Sequence, residues 1–195
     1  MTTTGLMRKV LGPQWQALPP ALQAHHQETN NTDIGKLSVE FPTAMKPVLW
    51  LLRGLGALLH ERGQALSTQV EKKVDAQGHQ HWQRRVTLES RREMTFNSQW
   101  QFLEQQRLIE FVNPLLGLQM RVLFTDDRLH YRGEYLVLQL GPWRLRLPEA
   151  LLGHTRIEEW ALDEKYFAMD FRLTHPIFGQ IYRYHGVFTT QKSAE

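Results

Sequence analysis

The sequence predicts an α+β domain in which N-terminal helices precede a long antiparallel β meander, and three observations carry that reading. Apolar residues recur at helical spacing only in the first third of the chain. From Gly63 almost to the end they alternate with a period of two, as strands with one buried face require. The alternating runs are joined by short, turn-like links, whereas parallel neighbours would need crossovers of a dozen residues or more. So many sequential strands would leave long unpaired edges, which favours strong curvature. The expected architecture is therefore a partly closed, barrel-like sheet packed on one apolar helix.

The elements follow in order. Leu6 to Gln27 has helical spacing broken by Gly12, Pro13, Pro19 and Pro20, so two short helices are expected there, as a lid or edge cover. Ile34, Leu37, Val39 and Phe41 suggest a short strand ended by Pro42. Thr43 to Arg62 reads as the strongest helix, its leucines covering most of the circumference, and it is the apolar helix on which the sheet is expected to pack. Leu66, Thr68, Val70 and Val74 begin the alternation, and Asp75 to Gly78 makes a hairpin turn. Further strands are expected at Leu108–Asn113, Leu118–Phe124, Leu129–Leu140, Trp143–Leu147, Thr155–Leu162, Tyr166–Leu173 and Ile181–Thr189. A single helical turn, Pro148 to Leu152, interrupts them.

Bulk properties bound the function. The 195 residues suit a single domain spanning 1–195, with 1–5 and 191–195 frayed. With 42% hydrophobic and 22% charged residues the chain is globular, and a net charge of +3 is too small to argue for nucleic acid. The absence of cysteine excludes disulfides, thiolate catalysis and thiolate metal sites. No secretory signal opens the sequence, and Arg53 interrupts the longest apolar stretch, so a cytoplasmic protein without a membrane span is expected.

The stretch from His79 to Phe102 is the most informative. Its first alternating segment puts Trp82, Arg84, Val86 and Leu88 on one face; the second groups Met94, Phe96, Ser98, Trp100 and Phe102. Arg84 and Ser98 are thus polar exceptions on apolar faces, and such groups need partners. Glu110, one strand on, is a candidate partner for Arg84. Two readings stand side by side: a cation inside a cavity that binds a ligand's polar head, or a structural ion pair.

Other constellations yield less. His79-x-His81 has ligand spacing but no regular carboxylate after it, so no metal is expected. His25 and His26 diverge on their helix and read as solvated. Glu158 and Glu159 alternate across a strand, so they form no opposed acid–base pair.

Trp82-x-Arg84, Thr95-Phe96-x-Ser98, Glu110, Leu147-Pro148, Pro176 and Tyr184-x-Gly186 occur in this order, after an opening Leu11-Gly12-Pro13 and Leu18-Pro19. In that order they resemble the bacterial domain-of-unknown-function family 4166. Members are often joined to saccharopine dehydrogenase-like NAD(P)-binding domains, so the resemblance implies a dehydrogenase-like protein partner. It transfers no catalytic residue.

The residues point first to a non-catalytic domain that binds a small apolar or amphipathic ligand in a sheet and helix pocket, without a cofactor. Trp82, Arg84, Ser98, Trp100, Glu110 and Tyr184 are its candidate ligand-binding residues. The alternative is an enzyme or accessory subunit acting with an NAD(P)-dependent dehydrogenase-like partner.

Overall fold

In the computed structural model, which describes residues 5–47, 49 and 59–192, eleven strands form one antiparallel sheet. They are β1 (Asn31–Glu40), β2 (Gly63–Val74), β3 (Gln80–Thr87), β4 (Glu93–Glu104), β5 (Arg107–Phe111) and β6 (Leu116–Thr125). The chain continues through β7 (Arg128–Leu140), β8 (Trp143–Pro148), β9 (His154–Ala161), β10 (Tyr166–His175) and β11 (Gly179–Lys192). Pairing follows chain order from β1 to β7. It then skips β8, because the first half of β7 pairs with β9 (Arg128↔Trp160 to Arg132↔Arg156) and the second half with β8 (Leu140↔Trp143 to Tyr135↔Pro148). β11 returns to β1 over ten paired positions, from Asn31↔Lys192 to Glu40↔Arg183.

The sheet is therefore a closed barrel of ten strands, with β8 as a hairpin extension, rather than the partly closed sheet expected. Closure satisfies the strand edges that an open meander would expose. Local chemistry supports it. Asp126 and Asp127 both adopt positive φ, the conformation a two-residue hairpin turn needs between β6 and β7. At the closing seam a Cβ on Gly35 would lie 2.1 Å from the Val187 carbonyl, and one on Gly186 2.3 Å from that of Lys36. Glycine lets the two strands approach that closely.

The expectation of a sheet packed on one apolar helix is also corrected. A closed barrel fills its inner face with its own side chains and needs cover only at its ends. Among the described residues, the helices that pack on it are N-terminal: α1 (Leu6–Leu11), a 3-10 turn (Gly12–Ala17) and α2 (Pro20–His25). α1 touches β4 and β6, and α2 touches β9, β10 and β11, so together they span one end of the barrel. Met7, Val10, Leu11 and Leu22 are buried there. Half of the helix expected over Thr43–Arg62 lies outside the described residues. Its described parts are a 3-10 turn at Thr43–Met45, the helical positions Lys46, Pro47 and buried Leu49, and the non-helical segment from buried Leu59 onward. No described helix is long and apolar enough to cross a membrane.

Candidate functional site: two chambers inside the barrel

Inward-facing residues of β3, β4, β5 and β11 meet near the middle of the barrel. The Arg84 guanidinium donates through Nη1 to Ser98 Oγ at 2.8 Å and through Nη2 to Glu110 Oε1 at 3.4 Å. It also lies over the Phe96 ring at 5.2 Å and the Trp82 ring at 5.8 Å. Both charged side chains are 14% exposed. Each polar exception in the sequence thus has a partner, as burial demands.

Two cavities flank this pair. The outer one, about 100 Å³, is walled mainly by apolar groups, among them Phe96, Leu118, Leu136, Phe171 and Leu173, and reaches the end of the barrel opposite α1 and α2. The inner one, about 40 Å³, is lined by Trp82 and Trp100 and floored by His25, Asp33 and Glu159. Arg84, Glu110 and Tyr184 line both. All six residues singled out in the sequence therefore face one interior: Ser98 the outer chamber, the two tryptophans the inner, and the other three the wall between.

A model of the DUF4166 family, described as a domain of unknown function, matches residues 18–188. The chain belongs to that family. The matched span contains every residue that lines either chamber. No curated protein and no solved structure matches the chain.

The floor of the inner chamber in this DUF4166 chain differs from the sequence expectation. His25 and His26 are buried, not solvated, with ring centroids 4.2 Å apart. They end α2, whose cap packs against Trp82, Trp100 and Phe167, so both rings enter the barrel instead of pointing to water. His25 Nδ1 lies 2.7 Å from Asp33 Oδ2, and the other Asp33 oxygen accepts from the Thr190 hydroxyl at 2.7 Å. A carboxylate only accepts, so His25 carries its proton on Nδ1 and turns Nε2 away from Asp33. His26 Nε2 donates to Glu159 Oε2 at 2.7 Å, and the Tyr131 hydroxyl donates to the same oxygen at 3.1 Å.

Burial governs the charges. It pulls the His26 imidazole down to about 4, helped by His25 and opposed by Glu159, so His26 is neutral at pH 7. Burial alone would raise the Glu159 carboxyl, but His26, His25 and Tyr131 outweigh it and hold Glu159 below the usual carboxylate range. Burial also pushes the Tyr131 and Tyr184 phenols up, so neither ionises near neutrality.

Two further features frame the cavity. On the hairpin extension, Leu136, Leu138 and Leu140 share a face with their partners Leu147, Leu145 and Trp143. Leu136 belongs to the outer chamber wall, while Leu140, Leu145 and Trp143 are exposed, so apolar surface runs from the cavity onto the hairpin. By contrast, the His79 and His81 pair lies outside the chambers, 3.3 and 2.9 Å from Asp75 Oδ2. Asp75 precedes the pair, and the hairpin turn folds it back.

Proposed function

We propose that this barrel binds a small, uncharged amphipathic molecule, with its apolar part in the outer chamber and an oxygen-bearing head beside Arg84. The observation that carries the reading is the change of wall chemistry at Arg84, from apolar side chains outside to hydrogen-bonding groups inside. The indole N–H groups of Trp82 and Trp100, both residues of the inner chamber, have no hydrogen-bond partner among the described residues. Such donors are costly unless something accepts from them. A carbonyl or hydroxyl oxygen fits.

Charge decides against an anionic head. Glu110 already neutralises Arg84, and Asp33 and Glu159 lie deeper still. A carboxylate entering there would meet three of its own kind, with Arg84 already engaged. Size narrows the ligand further, because a cavity of roughly 150 Å³ accommodates benzene. A single ring or a short branched chain carrying one hydroxyl or carbonyl matches the space.

The experiment is native mass spectrometry of protein purified from its own host, followed by ligand-observed fluorine NMR. The probes are a fluorinated benzyl alcohol and the matching benzoate. A retained neutral molecule, with saturable binding of the alcohol over the acid, is expected. Absence of any retained molecule together with no saturable binding of either probe would remove the proposal.

A further inference from the structure

The floor of the inner chamber has a composition that hydrogen bonding alone leaves unexplained. His25, His26 and Glu159 each present a ligand atom, and these atoms lie within 4.8 Å of one another among buried groups. We infer that this floor is a binding site for one divalent first-row transition metal ion, held by Nε2 of His25, Nε2 of His26 and the Glu159 carboxylate. The site does not depend on the amphipathic ligand, and the preference for an uncharged head belongs to the metal-free barrel.

Three independent observations support it. First, His25 Nδ1 is fixed on Asp33 at 2.7 Å, and Asp33 is braced by Thr190. A metal-bound histidine usually gives its second N–H to a carboxylate in this way, which orients the free nitrogen and raises its basicity. Second, the interior carries uncompensated negative charge. Asp33, Glu110 and Glu159 all line this interior, where Arg84 is already engaged by Glu110. A bound dication offsets that excess. Third, His26 Nδ1 is buried without a partner among the described residues, so this ring is not fully accounted for by its bond to Glu159.

The chemistry of the donor set selects the ion. Two imidazoles and one carboxylate suit Zn²⁺, Fe²⁺ or Co²⁺, whereas Ca²⁺ and Mg²⁺ prefer all-oxygen sites. Binding replaces the proton that His26 Nε2 now gives to Glu159 Oε2. That proton moves to His26 Nδ1, so the ring stays a neutral imidazole and both Nε2 and the Glu159 oxygen become ligands. Three protein ligands leave a coordination position open, as in catalytic rather than structural zinc sites. His25 and Glu159 both line the inner chamber, so that position faces the space where a small oxygen ligand would sit.

The test uses the full chain, stripped with a chelator and titrated with Zn²⁺ by calorimetry and with Co²⁺ by visible absorption. One ion per chain is expected, with the d–d bands of a four- or five-coordinate Co²⁺ site. Asp33→Asn, which leaves the three ligands in place, should weaken Zn²⁺ by about 10- to 100-fold. His25→Asn and Glu159→Gln should abolish uptake, with circular dichroism and thermal melting confirming that each folds. If Glu159→Gln does not fold, the folded Asp33→Asn and His25→Asn proteins decide the matter. The His79 and His81 pair, which lies outside the chambers, supplies the control, since His79→Ala with His81→Ala should leave the titration unchanged. Uptake that disappears in that surface variant, or that survives in folded His25→Asn, would overturn the site. So would a wild-type protein that takes up neither ion.

Discussion

Arg84 on β3 and Glu110 on β5 meet across the intervening strand β4, guanidinium to carboxylate at 3.4 Å, on the wall that the two chambers share. Each compensates the other in a place where an unpaired charge is expensive. The first prediction follows from that mutual dependence. Arg84→Leu should cost about 3 kcal/mol in urea denaturation, since it strands Glu110 among apolar groups. Arg84→Leu with Glu110→Leu should recover most of the loss, because removing both charges is often neutral. Binding of the neutral probe should fall in the folded double variant. A double variant as unstable as the single one would mean that the pair holds the barrel together in its own right.

The exposed end of the hairpin gives a second expectation. Trp143 is 77% exposed and stands opposite Leu140 at the tip of an apolar face continuous with the outer chamber. Leu140→Ser with Trp143→Ser removes apolar surface that is largely open to solvent. Stability should change by no more than about 0.5 kcal/mol, as for most surface substitutions. The fluorescence enhancement of anilinonaphthalene sulfonate should nevertheless fall, because that dye reports exposed apolar surface. An unchanged signal would place dye binding elsewhere.

How much of this was legible in the sequence depends on the range over which each signal acts. Period-two alternation and turn chemistry are local, so the strands from β2 to β11 could be read nearly to their ends. Barrel closure could not, because the pairing of β11 with β1 joins residues about 150 positions apart and no local pattern encodes it. Arg84 and Ser98 stood out because they break an apolar face. The same test applied more strictly would have found Glu159 in the floor and Lys72 beside it. Lys72 shares its parity with Val70 on β2, and Glu159 shares its own with Ile157 on β9; both are buried. The alternation of Glu158 and Glu159 across β9 already required one of them to face inward. His25 and His26 left no such mark, since their burial depends on where α2 is docked.

A third prediction concerns pH. Asp170 on β10 accepts from Arg172 at 2.6 Å and from Arg183 on β11 at 2.9 Å. Burial would raise its carboxyl, but the two arginines outweigh burial and hold it below the ordinary value of 3.8. A carboxyl whose folded-state value is depressed stabilises the fold above its unfolded value and loses that contribution as pH falls through the folded one. Asp170→Asn should therefore cost about 2 kcal/mol near pH 7, the scale of hydrogen bonds to charged groups. That difference from wild type should shrink below pH 3.8 as the wild-type carboxyl takes up its proton. A difference that stays constant with pH would show that shape, not charge, matters at this position.

The last prediction tests what holds α2 in the end of the barrel. Lys72 on β2 is 1% exposed, and its Nζ donates to the His25 carbonyl at 3.2 Å and to that of Gln27. Asn31 Nδ2 donates to the carbonyls of Ala24 and His25 at 2.9 and 2.8 Å. These donors satisfy the carbonyls that the end of a helix leaves unpaired. Lys72→Met keeps an unbranched side chain of similar length but removes the donor. The turn from Leu22 to Gln27 should then open more readily, with amide exchange faster by about tenfold for each hydrogen bond worth roughly 1.4 kcal/mol. Strands β10 and β11, which pair with their neighbours independently of Lys72, should keep their protection. Equal acceleration everywhere would mean that α2 and the barrel open as one unit.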